Sequence, residues 1–228
     1  MQGFLDVIGE NGTLVMPSLV QRDFLNAYKN WDKDKSPSDV GYLSEYFRTR
    51  NGSFRSDHAT HAVCAIGKEA YELTKEHTAY GPRLGEFGDY AFSYSSPWQK
   101  MYEKNAKHVF IGCPLKKGTI RHLAEHIIVE RILEIHPEVE LLVRKFSEPL
   151  SKFWPAINGD LIYETLKESG DIRFAKCGDA ICMCIEATIF VNKMIDIVIN
   201  NPEKYVEFFL GTDKKIYIQW LKDIKRNK

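Results

Sequence analysis

The stretch HVFIGCPLKKGTIRHLAEHIIVERIL, residues 108–133, indicates the fold class most clearly. HVFIG (108–112) is a short apolar run typical of a strand, and CPLKKG (113–118) has the proline and glycine of a loop. Thr119 then occupies the N-cap position of a predicted helix that runs to about Leu133. This order of strand, loop and helix is typical of α/β proteins, whose ligand crevices form where strands end and helices begin.

Strands and helices alternate on both sides of this stretch. GTLVMPSLV (12–20) and AVCAIG (62–67) are apolar runs typical of buried strands, whereas VGYLSEYFRTR (40–50) has helical spacing. An amphipathic helix near 188–200 follows the later mixed segments. We therefore predict an α/β fold with a mixed, partly parallel central sheet flanked by helices, in one domain spanning 1–228.

The composition excludes some classes of partner. The chain has 228 residues, with 31 Lys and Arg against 31 Asp and Glu, so no net charge attracts nucleic acid or an anionic membrane. No apolar run reaches the length that spans a bilayer. The N-terminal MQGFLDVIGENG lacks the basic start and apolar core of a signal peptide, which predicts a cytoplasmic protein.

The five cysteines are odd in number and contain no CxxC pair. Cys177, Cys182 and Cys184 form a loose cluster that is compatible with metal binding. We prefer the simpler interpretation, in which they are reduced thiols on a buried strand.

The helix that carries His122 has two distinct faces. At about 100° per residue, one stripe is apolar and predicts a core contact: Leu123, Ala124, Ile127 and Ile128. Val129 and Leu133 fall near His122 on the other side, so the face of His122 is semi-apolar and suits the lining of a cleft. The start of the helix is also expected to offer backbone N–H groups that could stabilise an oxyanion.

HLAEH (122–126) allows three interpretations. It has the spelling of an inverted zinc-protease motif, with His122 and His126 as ligands. That alternative needs a third ligand, for which the downstream glutamates are candidates: Glu164, Glu168 and Glu186. His122 could instead be a general base with polar neighbours, or a histidine that only packs at a helix start.

Four segments, taken in order, resemble one family: GTLVMPS (12–18), VGYLSEYFRTRNGSFRSDHATHAVCAIG (40–67), SSPWQKMY (95–102) and HVFIGCPLKKGTIRHLAE (108–125). Together they resemble the aminoglycoside 3-N-acetyltransferases, acetyl-CoA-dependent antibiotic N-acetyltransferases unrelated to the GNAT fold. The resemblance is strongest over residues 12–125. It implies direct transfer of acetyl from acetyl-CoA to a small-molecule amine. We also expect a monomer or homodimer that requires no metal.

The resemblance assigns roles to four residues, and besides the alternatives already given for His122, the other three have structural alternatives. His122 matches the family's base, and Thr119 would hold the oxyanion, unless it is only an N-cap. Glu125 matches the glutamate after that histidine, unless it is a surface carboxylate. Glu45 matches a second family glutamate, unless it is an ordinary i, i+3 partner of Arg48. An imidazole can accept an ammonium proton near neutral pH when a carboxylate holds its tautomer.

The resemblance also predicts ligand contacts. Ser18 stands where the family usually has threonine and is assigned with Arg55 and Ser56 to CoA, since arginine suits phosphate. Asp57 and His58 would line the acceptor cleft. The alternative for this stretch is a polar turn before a buried strand.

Two features separate this chain from the family pattern. The family usually has a serine- and glycine-rich β–α segment before GTLVMP that cradles pantetheine, and we expect this chain to lack it. The basic residues beside the proposed site favour a less cationic acceptor than an aminoglycoside, such as an amino sugar: Lys116, Lys117 and Arg121. A zinc hydrolase and a non-catalytic relic of the fold stay open as alternatives.

Overall fold

The computed structural model describes residues 2–22, 27, 29–77, 91–140, 154–210 and 213–227. These residues form two compact units, one containing the described residues up to Lys100 and one those from Met101 onwards. The single domain predicted from the sequence stays a prediction. In the described part of the chain, no helix combines the length and apolar character needed to cross a membrane.

The first unit contains short helices and a three-stranded sheet. Its elements in chain order are α1 (Gln2–Ile8), β1 (Thr13–Pro17), α2 (Tyr42–Arg48), β2 (Phe54–Arg55), β3 (Val63–Gly67), α3 (Ala70–Thr74) and the start of α4 (Pro97–Glu103). The strand order is β1-β3-β2, and both pairs are antiparallel.

β3 is the central strand, which explains its composition. Val63, Cys64 and Ala65 are fully buried, because a strand covered on both faces needs a continuous apolar run rather than alternation. At its end Gly67 has φ of +128°, and a Cβ there would lie 2.2 Å from the carbonyl oxygen of Gly12. Only glycine permits this close approach of β3 to the start of β1.

The second unit contains longer helices and two small sheets. It comprises β4 (Lys107–Ile111), a 3-10 helix (Leu115–Lys117), α5 (Arg121–Ile135), a second 3-10 helix (Pro137–Val139), β5 (Trp154–Ile157), α6 (Gly159–Glu168), β6 (Arg173–Cys177), β7 (Ala180–Glu186), α7 (Ala187–Asn200), α8 (Pro202–Tyr205), β8 (Val206–Leu210) and α9 (Lys214–Arg226).

The α/β class is confirmed, but the strand pairs in the described residues are all antiparallel, where a partly parallel sheet was predicted. One sheet has the order β4-β7-β6 and the other pairs β5 with β8. β6 and β7 form a hairpin around Gly178, whose φ is +60°. α7 follows β7 directly, so the β–α alternation that suggested parallel crossovers arises here from a hairpin followed by a helix.

α5, α7 and α9 pack together and bury the apolar stripes of their sequences. The predicted core stripe of α5 is confirmed: Leu123, Ala124, Ile127 and Ile128 are buried. α7 contributes Phe190, Met194 and Val198 at i, i+4 and i+8. Each such apolar side chain stabilises the fold by about 1.5–3 kcal/mol, so this packing holds α5 firmly.

The cysteines of the hairpin are more exposed than predicted. Cys177 is exposed, and Cys182 and Cys184 are half-buried, so the interpretation of a buried strand is wrong for them. Cys184 pairs with Val109 in the β4-β7-β6 sheet. That part of the sheet is solvent-accessible, since Val109 is itself half exposed.

Candidate active site

α5 begins differently from the predicted helix. Its first residue is Arg121, its N-cap position is Ile120, and no side chain among the described residues caps it. The amides of Arg121, His122 and Leu123 instead donate to the carbonyls three residues earlier, at 3.0–3.2 Å. The prediction of Thr119 as N-cap is therefore wrong, because a tight turn already satisfies these N–H groups.

The same turn has a chemical consequence. The first N–H groups of α5 are used within the backbone, so the expected oxyanion donors at the helix start are already committed. The Thr119 hydroxyl is not consumed as a helix cap. Thr119 lies one turn before His122, whose N–H donates to the Thr119 carbonyl at 3.0 Å.

His122 and Glu125 form a close pair. His122 Nδ1 lies 2.6 Å from Glu125 Oε2, an i, i+3 contact along one helix face. The Glu125 side chain is 1% exposed, whereas that of His122 is 22% exposed. An Nδ1–H donated to the carboxylate fixes the tautomer in which Nε2 accepts a proton. The alternative that Glu125 is a surface carboxylate is wrong.

His126 differs from His122 in its surroundings. It is buried, one turn further along α5. Two of the candidate third zinc ligands have other partners: Glu186 accepts from Asn105 at 2.8 Å, and Glu164 lies 3.9 Å from Lys167. Within the residues that the structure describes, no three His, Cys, Asp or Glu side chains come together as a metal-ligand group.

The basic residues before α5 are partly neutralised. Lys116 Nζ lies 2.8 Å from Asp160 Oδ2, across the start of α6. Gly159 permits this approach, because a Cβ there would lie 2.8 Å from Lys116 Cβ. The local positive charge that argued against a polycationic acceptor is therefore smaller than the sequence suggested.

Glu45 lies in the first unit and is fully engaged there. Its carboxylate accepts from Arg48 at 2.7 and 2.6 Å and from the Ser38 N–H at 2.7 Å. The bond from Arg48, with that from Ser38, holds the pKa of Glu45 below its ordinary value. The i, i+3 pair with Arg48 is thus present, and the catalytic role of Glu45 stays a prediction.

Arg55 is buried and acts as a structural clamp, meaning that its guanidinium holds backbone segments together by hydrogen bonds. Its guanidinium donates to the backbone carbonyls of Ser18, Lys33 and Ser36 and stacks on Trp31 at 4.3 Å. Burial lowers its pKa to about 10, so it is charged at neutral pH. These contacts tie β2 to the loop after β1, and the predicted contact of Arg55 with a CoA phosphate stays a prediction.

The predicted serines are also inside the first unit. Ser18 is fully buried, and its N–H donates to the Ala62 carbonyl at 2.8 Å. Ser56 is fully buried, and its hydroxyl accepts from the Val63 N–H at 3.0 Å. In this arrangement both serines bond to the backbone at the start of β3, and their assignment to CoA stays a prediction.

Asp57 and His58 differ in accessibility. Asp57 is exposed and accepts from Trp31 Nε1 at 2.7 Å. His58 is buried, with Nδ1 accepting from the N–H groups of Thr60 and His61. Burial holds the pKa of His58 well below its ordinary value, so the ring is neutral. Asp57 is therefore the more accessible of the two predicted acceptor residues.

Sequence reasoning missed His77, which lies beside His58. The His77 ring is buried, its Nε2–H donates to the Ala91 carbonyl at 2.9 Å, and Nδ1 accepts from the Ser56 hydroxyl at 2.8 Å. Burial lowers the pKa of His77 to about 4. No motif marks His77, because its partners lie 14 and 21 residues away along the chain.

Comparison with known proteins adds the family. The family model described as aminoglycoside 3-N-acetyltransferase matches residues 1–198. This chain belongs to the aminoglycoside 3-N-acetyltransferase family. Its predicted class, acyltransferase, is confirmed by this match.

Two curated relatives of the aminoglycoside 3-N-acetyltransferase family are similar in sequence. The SPbeta prophage-derived aminoglycoside N(3')-acetyltransferase-like protein YokD of Bacillus subtilis (strain 168) is 24% identical over 244 aligned positions, covering 91% of this chain and 81% of the relative. Aminoglycoside N(3)-acetyltransferase IX of Micromonospora chalcea is 28% identical over 138 positions, covering 53% of this chain and 46% of the relative.

Solved structures of the family share the fold. AAC-IIIb, binary with CoASH, has a TM-score of 0.65 at 17% identity, and the match covers 89% of this chain and 82% of that chain. A mutant of aminoglycoside acetyltransferase AAC(3)-IVa in complex with a gentamicin has a TM-score of 0.63 at 17% identity, and the match covers 88% of this chain and 74% of that chain. The predicted antibiotic N-acetyltransferase-like fold is confirmed.

Proposed function

We propose that this protein transfers acetyl from acetyl-CoA directly to an amine of an aminoglycoside or amino sugar, with His122 as general base. The observation that carries the proposal is the 2.6 Å contact between His122 Nδ1 and the buried Glu125 carboxylate. Family membership supports acyl transfer to an aminoglycoside-type acceptor. The fold shared with AAC-IIIb, which is binary with CoASH, supports CoA as the acetyl carrier.

The chemistry requires one base. His122 Nε2 accepts a proton from the acceptor amine while Glu125 holds Nδ1–H. The amine nitrogen then forms a bond to the thioester carbonyl carbon, and the carbon–sulfur bond breaks. The sulfur leaves as a thiolate and receives the second proton, which the nitrogen loses as the amide forms, while the first proton passes from His122 to solvent. The products from an ammonium acceptor are therefore an amide, the CoA thiol and a released proton. General-base help of this kind contributes about 10²–10⁴ in rate.

Thr119 is the proposed oxyanion donor. Its hydroxyl is not used to cap α5, while the N–H groups of the first turn are bonded within the backbone. A side-chain O–H therefore takes the role that a helix N-terminus plays in other acyl-transfer sites.

The ligand contacts are proposed from the family resemblance. Ser18, Arg55 and Ser56 are assigned to CoA, although all three are buried and bonded to their own unit. Asp57 and His58 are assigned to the acceptor, where the exposed Asp57 carboxylate suits a cationic amine. Because Lys116 is paired with Asp160, the basic residues beside His122 do not argue against a cationic acceptor, and the proposed acceptor is an aminoglycoside or an amino sugar.

The test is turnover by His122→Ala with acetyl-CoA and a panel of aminoglycosides and monoamino sugars, followed by release of the CoA thiol. We expect kcat to fall about 10²–10⁴-fold while the thermal transition is kept. His126→Ala is the matched control on the same helix and is expected to keep the substrate profile. Unchanged turnover in His122→Ala would overturn the proposal.

A non-catalytic relic is the second candidate, favoured by the burial of Ser18 and Ser56. It predicts no heat of CoA binding by calorimetry and no acetylated product from any acceptor. Measurable CoA binding that is lost in Arg55→Ala, with the fold intact, would instead support the proposed cofactor contacts.

A further inference from the structure

The C-terminal helix α9 lies along α5, beyond the residues matched by the family model. Its buried face carries Tyr217, Leu221 and Ile224, spaced i, i+4 and i+7. At the C-terminal end of α5, His136 Nε2 lies 3.1 Å from Asp223 Oδ2 of α9. α9 is therefore held against the helix that carries the candidate base.

Glu125 has one oxygen that its histidine partner does not use. Oε2 is bonded to His122, whereas Oε1 is buried and accepts no hydrogen bond from the residues that the structure describes. A buried carboxylate oxygen needs a donor or a favourable dipole to stay ionised. The surroundings of Oε1 thus decide whether Glu125 can act as an anion.

Tyr217 is the polar group on the buried face of α9. Its side chain is fully buried. Tyr217 lies on the buried face of α9, and α9 packs on α5, the helix that carries Glu125. Burial raises the pKa of Tyr217 well above its ordinary value, and the charge of Glu125 raises it further, so the phenol keeps its proton. A protonated phenol carries no charge, and its O–H can donate towards a carboxylate, which when ionised only accepts hydrogen bonds.

We propose that Tyr217 is a positioning residue of the site, whose buried hydroxyl dipole stabilises the Glu125 carboxylate and thereby controls protonation of the His122–Glu125 pair. The inference rests on the proposed function, in which His122 is the base. It adds a residue outside the matched family region to the machinery of the reaction.

Other titratable groups lie on the helices packed around this contact. On α5 they include His126, one turn from His122, and His136 at the far end, paired with Asp223 of α9. The buried face of α7, which packs on both helices, is apolar throughout. Tyr205 of α8 has its hydroxyl 3.0 Å from Thr165 Oγ1.

The experiment is an NMR titration of the His122 ring in the full chain, without substrate. In Tyr217→Phe the carboxylate loses a stabilising dipole, so the pair binds its proton more tightly. We expect the His122 titration midpoint to rise by about one pH unit, and the acid limb of kcat/KM to move with it. Tyr205→Phe, which loses an equivalent hydroxyl bonded elsewhere, is expected to leave the midpoint unchanged.

A second pair of variants separates coupling from packing. In the Glu125→Gln background, Tyr217→Phe should produce no further movement of the His122 midpoint. An unchanged midpoint in folded Tyr217→Phe, or an equal rise in Tyr205→Phe, would overturn the inference. If Tyr217→Phe does not fold, ¹⁹F spectra of 3-fluorotyrosine-labelled protein test it: the Tyr217 resonance should move in Glu125→Gln and not in Glu207→Gln.

The readout also separates this inference from the proposed function. The titration reports the Tyr217–Glu125–His122 coupling even in an inactive protein. If the His122 midpoint shifts in Tyr217→Phe but His122→Ala keeps its turnover, the coupling stands and His122 is not the base. If the midpoint does not move in Tyr217→Phe but His122→Ala loses its turnover, His122 is the base and the coupling to Tyr217 is wrong.

Discussion

His77 in the first unit and His122 in the second have similar first contacts and different surroundings. Each has Nδ1 bonded to a side-chain oxygen, from Ser56 and Glu125 respectively. The Nε2–H of His77 donates to the Ala91 carbonyl, and its ring is buried, whereas the His122 side chain is 22% exposed. The carboxylate partner and the partial exposure suit His122 to proton transfer. Both ring nitrogens of His77 are hydrogen-bonded inside the protein, which suits His77 to a structural role.

The hydrogen-bond partners and exposure of a histidine indicate its role better than its position in a family motif does. His58 sits inside a family-like motif, yet it is buried beside His77, with ring centroids 5.0 Å apart. His122 is set apart by its pairing with a buried anion while its own ring stays partly exposed.

The largest expected effect is on the stability of the first unit. His77→Ala removes the bonds to Ser56 and Ala91 and leaves a cavity. We expect the free energy of unfolding to fall by about 3–5 kcal/mol, measured by urea denaturation. His122→Gln, whose amide can still donate to the buried Glu125 carboxylate, is the control at a half-buried position and should lose far less. Comparable stability with abolished turnover in His77→Ala would reverse the assignment of the two histidines.

Acid sensitivity should follow from the same buried ring. The pKa of His77 is lowered to about 4, so between about pH 6.5 and pH 4 the unfolded chain binds a proton that the folded chain does not. Stability is therefore complete above this window and falls as the pH drops through it, by about 3 kcal/mol in total. Burial shifts the pKa of His58 in the same direction.

Urea unfolding at a series of pH values measures this loss. His77→Phe, which cannot titrate, should show a smaller dependence on pH than the parent protein. An identical dependence in both proteins would show that His77 does not cause the acid loss.

A smaller effect is expected from Glu125→Gln. The amide keeps the shape but removes the charge that orients and supports the His122 ring. We expect kcat/KM to fall about 10- to 100-fold with little change in the melting temperature. Glu130→Gln, on the same helix, serves as the control. Activity equal to that of the parent would show that the pair is only a packing contact.

The smallest effect is expected from Arg55→Lys. Lysine cannot reproduce the fork of bonds to the Ser18, Lys33 and Ser36 carbonyls or the stacking on Trp31. We expect the free energy of unfolding to fall by about 1–2 kcal/mol, and KM for acetyl-CoA to rise because the proposed function assigns Arg55 to CoA. An unchanged KM for acetyl-CoA together with reduced stability would leave Arg55 with a structural role alone.

Local sequence predicted the elements that depend on nearby residues. The spacing in 108–133 predicted β4 and α5, and helix geometry alone places His122 and Glu125 on neighbouring positions of one face. The apolar run before Gly67 predicted β3. The predicted N-cap of α5, Thr119, was wrong, because the same residues are compatible with a threonine N-cap and with the tight turn that the structure shows.

The tertiary structure decided the surroundings of these elements. The burial of Glu125 comes from the packing of α5 with α7 and α9, and Tyr217 lies 92 positions along the chain from it (217 − 125). The Arg55 bonds to the Ser18 carbonyl span 37 positions, so RSDH alone could not distinguish a phosphate ligand from a backbone clamp. Sequence thus determined which side chains share a local face, because that depends on helix and strand geometry. Only the fold determined which of them are buried, paired or open, because desolvation and hydrogen bonding depend on distant segments.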